Sequence, residues 1–251
     1  MVPENRVPNA LTGVSPDGKR FVFVHSDRDW WEKNLADGPR KHEARGGKLD
    51  VLEIATGKVG TLVQINSWLT HSNFYDNERI LFCHLANENA ILMTDLRGGY
   101  YQHLRTQDEW GLTCHYIATD KGIMYEVNNH IGGIYDPDTH KRTEYDLGLA
   151  GYVHTGCDPE ARLWFYESHD RQSDYHAMYY FQKLVSDKVN KPISLIGNMK
   201  TYWLGQRSHY HPQLTPDRKH ILFTGGDPAN QTNHLFLLDI VDLNDTKIEA
   251  Q

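Results

Sequence analysis

A unit of turn, strand, loop and second strand recurs along this chain, and it limits the fold more than any other feature. The first copy has the turn Ser15-Pro16-Asp17-Gly18, the strand Arg20-Phe21-Val22-Phe23-Val24, and then Lys48-Leu49-Asp50-Val51-Leu52-Glu53-Ile54. The second runs from Asp76-Asn77 through Arg79-Ile80-Leu81-Phe82-Cys83 to Ala90-Ile91-Leu92-Met93-Thr94-Asp95. The third has Thr119-Asp120-Lys121-Gly122, Ile123-Met124-Tyr125-Glu126-Val127 and Gly133-Ile134-Tyr135-Asp136. The fourth has Asp158-Pro159-Glu160, Leu163-Trp164-Phe165-Tyr166-Glu167 and Met178-Tyr179-Tyr180-Phe181. The fifth has Thr215-Pro216-Asp217, Ile221-Leu222-Phe223-Thr224 and His234-Leu235-Phe236-Leu237-Leu238-Asp239. A period of about 40 to 50 residues is that of a four-stranded propeller blade. Pro presets φ in such turns, and Asp or Gly tolerates the tight return.

The expected fold is therefore all-β, a β-propeller with about five blades, forming one domain over residues 1–251. No strand is expected before residue 10 to close a ring with the last blade. Trp30 to Ala44, broken by Gly38-Pro39, reads as an excursion between strands with one helical turn. Asp187 to Asn198 reads as a second such loop, and Gly98-Gly99 and Gly132-Gly133 read as hairpin turns.

Composition removes several classes of function. The net charge of -7, with no basic stripe, argues against a nucleic-acid partner. No run approaches the roughly 18 apolar residues of a membrane helix, and the N-terminus has no signal-peptide core. Cys83, Cys114 and Cys157 are odd in number and widely spaced, which fits reduced thiols and a cytoplasmic setting.

The 15 histidines are the chemical signal. His71, His115 and His154 precede the turns of the second, third and fourth units, and His209 and His211 precede the fifth. Equivalent positions in successive blades converge on a propeller axis. His209 and His211 also share one face of an extended strand, with Gln206 one short turn upstream. Alone, such a pair would read as two solvated loop histidines; as a set, the bland alternative is a channel lined with hydrated imidazoles. Imidazoles plus an amide, without thiolates, suit a borderline or hard divalent cation such as Mn²⁺, with zinc or calcium less favoured. A cation beside an imidazole base suits proton abstraction α to a carboxylate, the chemistry of a β-eliminating lyase on a uronic acid.

The stretch from Gln206 through Ser208-His209-Tyr210-His211-Pro212 to Thr215-Pro216-Asp217 resembles the C-terminal signature of oligogalacturonate lyases. Trp68-Leu69-Thr70-His71, Phe82-Cys83-His84 and Asp29-Trp30 are similar to further motifs of that family. The similarity runs from about residue 14 to the C-terminus and is most specific at the last motif. The resemblance implies a seven-bladed cytoplasmic lyase cleaving short pectin fragments, with the first two blades lacking a counterpart here. It implies Mn²⁺ held by His154, Gln206, His209 and His211, and His115 as the catalytic base within Thr113-Cys114-His115-Tyr116. His71, His84, Arg97 and Trp203 are the candidates for contact with an acidic oligosaccharide. The family's Arg after its Phe-Cys-His motif has no match at Asn89 or Ala90, and Arg97 is the nearest. A metal-containing propeller that binds carbohydrate without cleaving it, and a scaffold for protein partners, are the alternative readings.

Overall fold

A computed structural model describes residues 4–9, 12–29, 46–66, 68–84, 90–105, 115–127, 131–146, 152–169, 178–185, 188–189, 193–196, 211–227 and 229–240. The elements bounded within these residues are strands, and Arg28 and Asp29, directly after the third of them, are helical. The chain divides into two compact units, Met1–Cys114 and His115–Gln251.

The first unit holds two antiparallel sheets. One comprises β1 (Arg6–Pro8), β2 (Gly13–Val14), β3 (Arg20–Asp27), β4 (Gly47–Glu53) and β5 (Val59–Ile65), in the order β1-β3-β4-β5 with β2 also pairing β3. The other is β6 (Leu69–Phe74), β7 (Arg79–His84), β8 (Ala90–Asp95) and β9 (Gln102–Arg105) in sequence order. Val22, Val24, Leu49 and Val51 from the first pack with Leu69, Phe74, Ile80, Phe82 and Leu92 from the second. Such alternating and continuous apolar runs fit strands with both faces covered. Asn9 ties the two sheets together, its Nδ2 donating to Leu69 O at 2.7 Å.

The second unit holds three sheets. The first is β10 (Tyr116–Thr119), β11 (Gly122–Val127), β12 (Ile131–Tyr135) and β13 (Arg142–Asp146). The next is β14 (Tyr152–Cys157), β15 (Leu163–His169), β16 (Met178–Val185) and β17 (Lys188–Val189), with β18 (Ile193–Ile196) also on β16. The last is β19 (Gln213–Leu214), β20 (His220–Asp227) and β21 (Thr232–Asp239). Met124 packs with Trp164 and Tyr166 between the first two of these sheets. The Asp120 amide donates to Pro159 O at 2.7 Å, and Arg218 grips both carboxylate oxygens of Glu160 at 2.9 and 3.0 Å.

The repeat is visible in atomic detail. Ser15 Oγ meets Asp17 Oδ1 at 2.6 Å in the first turn, and Thr215 Oγ1 meets Asp217 Oδ1 at 2.5 Å in the last. Gly18 and Arg218 occupy the same left-handed position, at φ 70° and 59°. Both paired apolar strands of the first four predicted units are central strands here, while in the fifth β20 is central and β21 ends its sheet among the described residues. β1 lies before residue 10 and pairs with β3 of its own sheet, clamped by Arg6, whose guanidinium reaches Asp27, His25 and Gly46 O. Two expectations change. The stretch expected to be a loop from Asp187 to Asn198 contains β17 and β18. Gly132-Gly133 lies inside β12, because the Tyr125 ring covers Gly133 where a Cβ would stand. Gly98 and Gly99 do form the turn between β8 and β9, at φ 67° and 78°. The excursion from Trp30 to Ala44 falls outside the described residues, apart from β4 resuming at Gly47. No helix among the described residues is long and apolar enough to cross a membrane.

Candidate functional site

Three histidines from three consecutive sheets of the second unit meet in a row. The ring centroids of His115 and His154 are 4.4 Å apart, and those of His154 and His211 are 4.3 Å apart. His115 immediately precedes β10, His154 lies in β14, and His211 lies two residues before β19. Each sits at or before the first strand of its sheet, which is how one repeat position gathers side chains distant in sequence.

Each of the first two histidines faces a carboxylate from the adjoining strand. His115 Nδ1 lies 2.5 Å from Glu126 Oε1, and the Glu126 amide donates to His115 O at 3.3 Å. His154 is the cross-strand partner of Glu167 in the β14–β15 ladder, and its Nδ1 lies 3.1 Å from Glu167 Oε1. Both carboxylates are buried, Glu167 with 1% of its side chain exposed. Glu167 Oε2 accepts the His211 backbone N–H at 3.0 Å.

His211 has a left-handed backbone, φ 44°, unusual for a residue with a Cβ. Beside it the chain presses close to β14. A Cβ on Gly156 would stand 2.5 Å from Pro212 O and would overlap the Phe165 ring. Glycine is required there for the approach that brings His211 over His154.

Burial depresses His154 most. Against the opposing effect of Glu167, and helped by His115 and His211, it holds the imidazole pKa down at about 3. His154 is thus neutral throughout the physiological range, the form in which imidazole binds a cation. With Nδ1 turned to Glu167, Nε2 is the nitrogen that would do so. His211 is exposed, so the row is open to solvent at that end. In kind, these donors fit a divalent cation. Among the described residues no three His, Cys, Asp or Glu surround a common point as a cation requires. The remaining expected ligands, Gln206 and His209, lie outside the described residues, as does Trp203.

The other candidates lie in the first unit. His84 pairs with Leu69 and Ala90 at one end of the β6–β9 sheet. His71 sits close by, in a bulge of β6, also left-handed at φ 54°. Arg97 is in the β8–β9 turn at the opposite end of that sheet, with its Nη2 2.5 Å from Asp95 Oδ2 and 3.2 Å from the Tyr100 hydroxyl. The sheet therefore does not bring Arg97 to His84. Glu126 and Glu167 were read in the sequence only as strand residues. Their signal was a Tyr-Glu pair, Tyr125-Glu126 and Tyr166-Glu167, in corresponding apolar strands. A charge in such a run needs a partner.

No protein-family model matches the sequence, and no curated protein matches it. Solved structures do. An oligogalacturonate lyase in complex with manganese superposes with TM-score 0.73 at 19% identity, over 95% of this chain and 67% of its own length. An oligogalacturonate lyase from Vibrio parahaemolyticus gives TM-score 0.76 at 17% identity, over 97% of this chain and 68% of its own. TolB from Acinetobacter baumannii is more distant, with TM-score 0.54 at 12% identity. At these identities the likeness concerns the fold: the chain is a β-propeller similar in structure to oligogalacturonate lyases and spans about two thirds of their length.

Proposed function

We propose that this protein is a metal-dependent lyase that cleaves oligogalacturonate or a related uronate oligosaccharide by β-elimination. The observation that carries the reading is the row of His115, His154 and His211, with its two carboxylate partners. The structural likeness to oligogalacturonate lyases, one of them in complex with manganese, supports it.

In this reading His154 and His211, with Gln206 and His209, would hold a divalent cation such as Mn²⁺. Bound there, the cation would neutralise the uronate carboxylate and acidify the proton α to it. His115 is the base. Glu126 binds its Nδ1, which fixes the tautomer so that Nε2 takes the C5 proton, and stabilises the imidazolium that results. The C5–H electron pair becomes the C4–C5 double bond as the bond from C4 to the leaving sugar oxygen breaks. That oxygen departs with its bonding pair and collects a proton from the His115 imidazolium or from water. Burial of Glu126 keeps the pair in a poorly screened setting, where a fixed charge acts strongly.

The test is the ultraviolet absorbance of a conjugated unsaturated uronate, followed on digalacturonate and trigalacturonate with Mn²⁺ and with chelator. The expected result is a Mn²⁺-dependent rise that His115→Ala lowers by at least about 100-fold, the scale of general-base catalysis. Equal inactivity of wild type and His115→Ala on these and related uronates would sink the lyase assignment. A second reading, a metal-containing propeller that binds carbohydrate without cleaving it, is favoured by one observation: Arg97 is committed to Asp95 at the far end of its sheet. It predicts a sugar-dependent rise in melting temperature and no product.

A further inference from the structure

Glu167 lies between two of the proposed ligands and engages them differently. One oxygen meets the His154 ring, and the other accepts the His211 main-chain N–H. The two histidines belong to different sheets and are 57 positions apart in the sequence. We infer that Glu167 is the positioning residue of the metal centre, aligning the His154 ring and the His211 backbone through one buried carboxylate. The inference rests on the metal-centre reading above and adds a residue to it.

Three physical arguments support the role. First, the carboxylate is nearly inaccessible to solvent, and a buried charge survives only when its oxygens are engaged. Here one partner is a ring nitrogen and the other an amide, and both belong to proposed ligands. Second, a carboxylate at Nδ1 fixes the tautomer of a ligating histidine and increases the basicity of the nitrogen facing the cation. Because His154 and Glu167 are register partners in an antiparallel ladder, the ladder itself sets that contact. Third, the left-handed backbone of His211 is strained for an L-residue. Capture of its N–H by a carboxylate is a charge-assisted bond, stronger than the amide would make with a neutral acceptor. Glu126, one sheet earlier, makes the same ring contact with His115 and pairs with it through the backbone as well. The device is thus repeated on consecutive blades, and in the fourth it reaches across to the fifth.

The experiment uses the full chain stripped with chelator and titrated with Mn²⁺ by calorimetry, with the electron paramagnetic resonance spectrum of the bound ion recorded. Wild type, Glu167→Gln and Glu167→Ala are compared, with Glu160→Gln as a control on an exposed ion pair of the same sheet. Loss of an outer carboxylate on a ligating histidine typically weakens metal about 10- to 100-fold, the loss expected for Glu167→Ala. Glu167→Gln keeps an oxygen for the His211 amide and removes the charge from His154, so its loss is smaller. Both variants change the Mn²⁺ spectrum, and Glu160→Gln changes neither readout. Unchanged Mn²⁺ affinity and an unchanged spectrum in a folded Glu167→Gln would overturn the inference, as would a lowered apo melting temperature with affinity intact. If Glu167→Ala does not fold, Glu167→Gln alone decides. Wild type that binds no Mn²⁺ overturns the metal-centre reading, and this inference with it. Wild type that binds while both variants bind equally overturns this inference alone.

Discussion

Replacing Gly156 with alanine tests whether the approach of the His211 segment to β14 builds the site. The added Cβ would stand 2.5 Å from Pro212 O, and ordinary contact begins near 3.4 Å, so one side must retreat by roughly 0.9 Å. Phe165 blocks retreat toward β15, because its ring already overlaps the new carbon and is fully buried. The Phe165 ring, which the new carbon meets even more closely, has to be displaced as well, and relief of the Pro212 contact carries His211 with it. Metal–ligand distances tolerate only about 0.2 Å, so a shift several times larger removes His211 from any shared coordination. Overpacking of this kind costs about 1–3 kcal/mol. For a chain of this size the melting temperature falls by about 5 °C. The assay is thermal unfolding followed by circular dichroism with and without Mn²⁺, beside calorimetric titration of Mn²⁺. Gly60→Ala is the control, since a Cβ there meets nothing within 4 Å and its backbone is not left-handed. The expected outcome is a lower melting temperature for Gly156→Ala together with a weakened Mn²⁺ response, and neither change for Gly60→Ala. A Gly156→Ala protein that melts and binds Mn²⁺ like wild type would refute the argument that this glycine positions His211.

Two further outcomes follow from titrating groups away from the histidine row. Burial, aided by the charge of Asp158, pushes the Cys157 thiol far above its ordinary value. The native protein should therefore leave Cys157 unalkylated by iodoacetamide at pH 8, and urea should expose it; peptide mass spectrometry that finds rapid native labelling would contradict this. In the first sheet, burial alone would raise the Asp50 carboxyl, but hydrogen bonds from His25 and Thr61 and the charges of His25 and Lys48 leave it below its ordinary value. Its contribution to stability is complete above the unfolded value of about 4 and is lost as pH falls through the lower folded value. Denaturant titrations across that acid range should show a shallower decline in Asp50→Asn than in wild type, and parallel declines would remove Asp50 from the account.

The strands that could be read in the sequence were those whose chemistry is one-sided or continuous. The apolar runs of β3, β7, β11 and β15 are covered on both faces, whereas β20 alternates buried with half-buried positions, and both patterns announce themselves by composition alone. Outer strands are a different problem. β13, Arg-Thr-Glu-Tyr-Asp, is half-exposed along most of its length, and β5 is open to solvent over its first three residues. Their pairing comes from a neighbour's ladder, which no local pattern records. β1 is a similar case: three residues held by the Arg6 guanidinium have no periodicity to detect. At the site, the histidines were legible because the repeat places them at matching positions. Glu126 and Glu167 were harder to see, since what commits each is the residue opposite it on another strand. Arg97 shows the converse. Proximity in sequence to a family motif says nothing about which end of a six-residue strand a side chain occupies.

The left-handed backbone at His211 also acts as a filter on what drift can install there. Asn, Asp and Gly enter that conformation readily, while Val, Ile and Thr do so only at high cost. A descendant that lost the imidazole without losing the fold should therefore carry one of the first three. His211→Asn, which leaves the main chain at ease, would separate the worth of the ring from the worth of the bend that presents it.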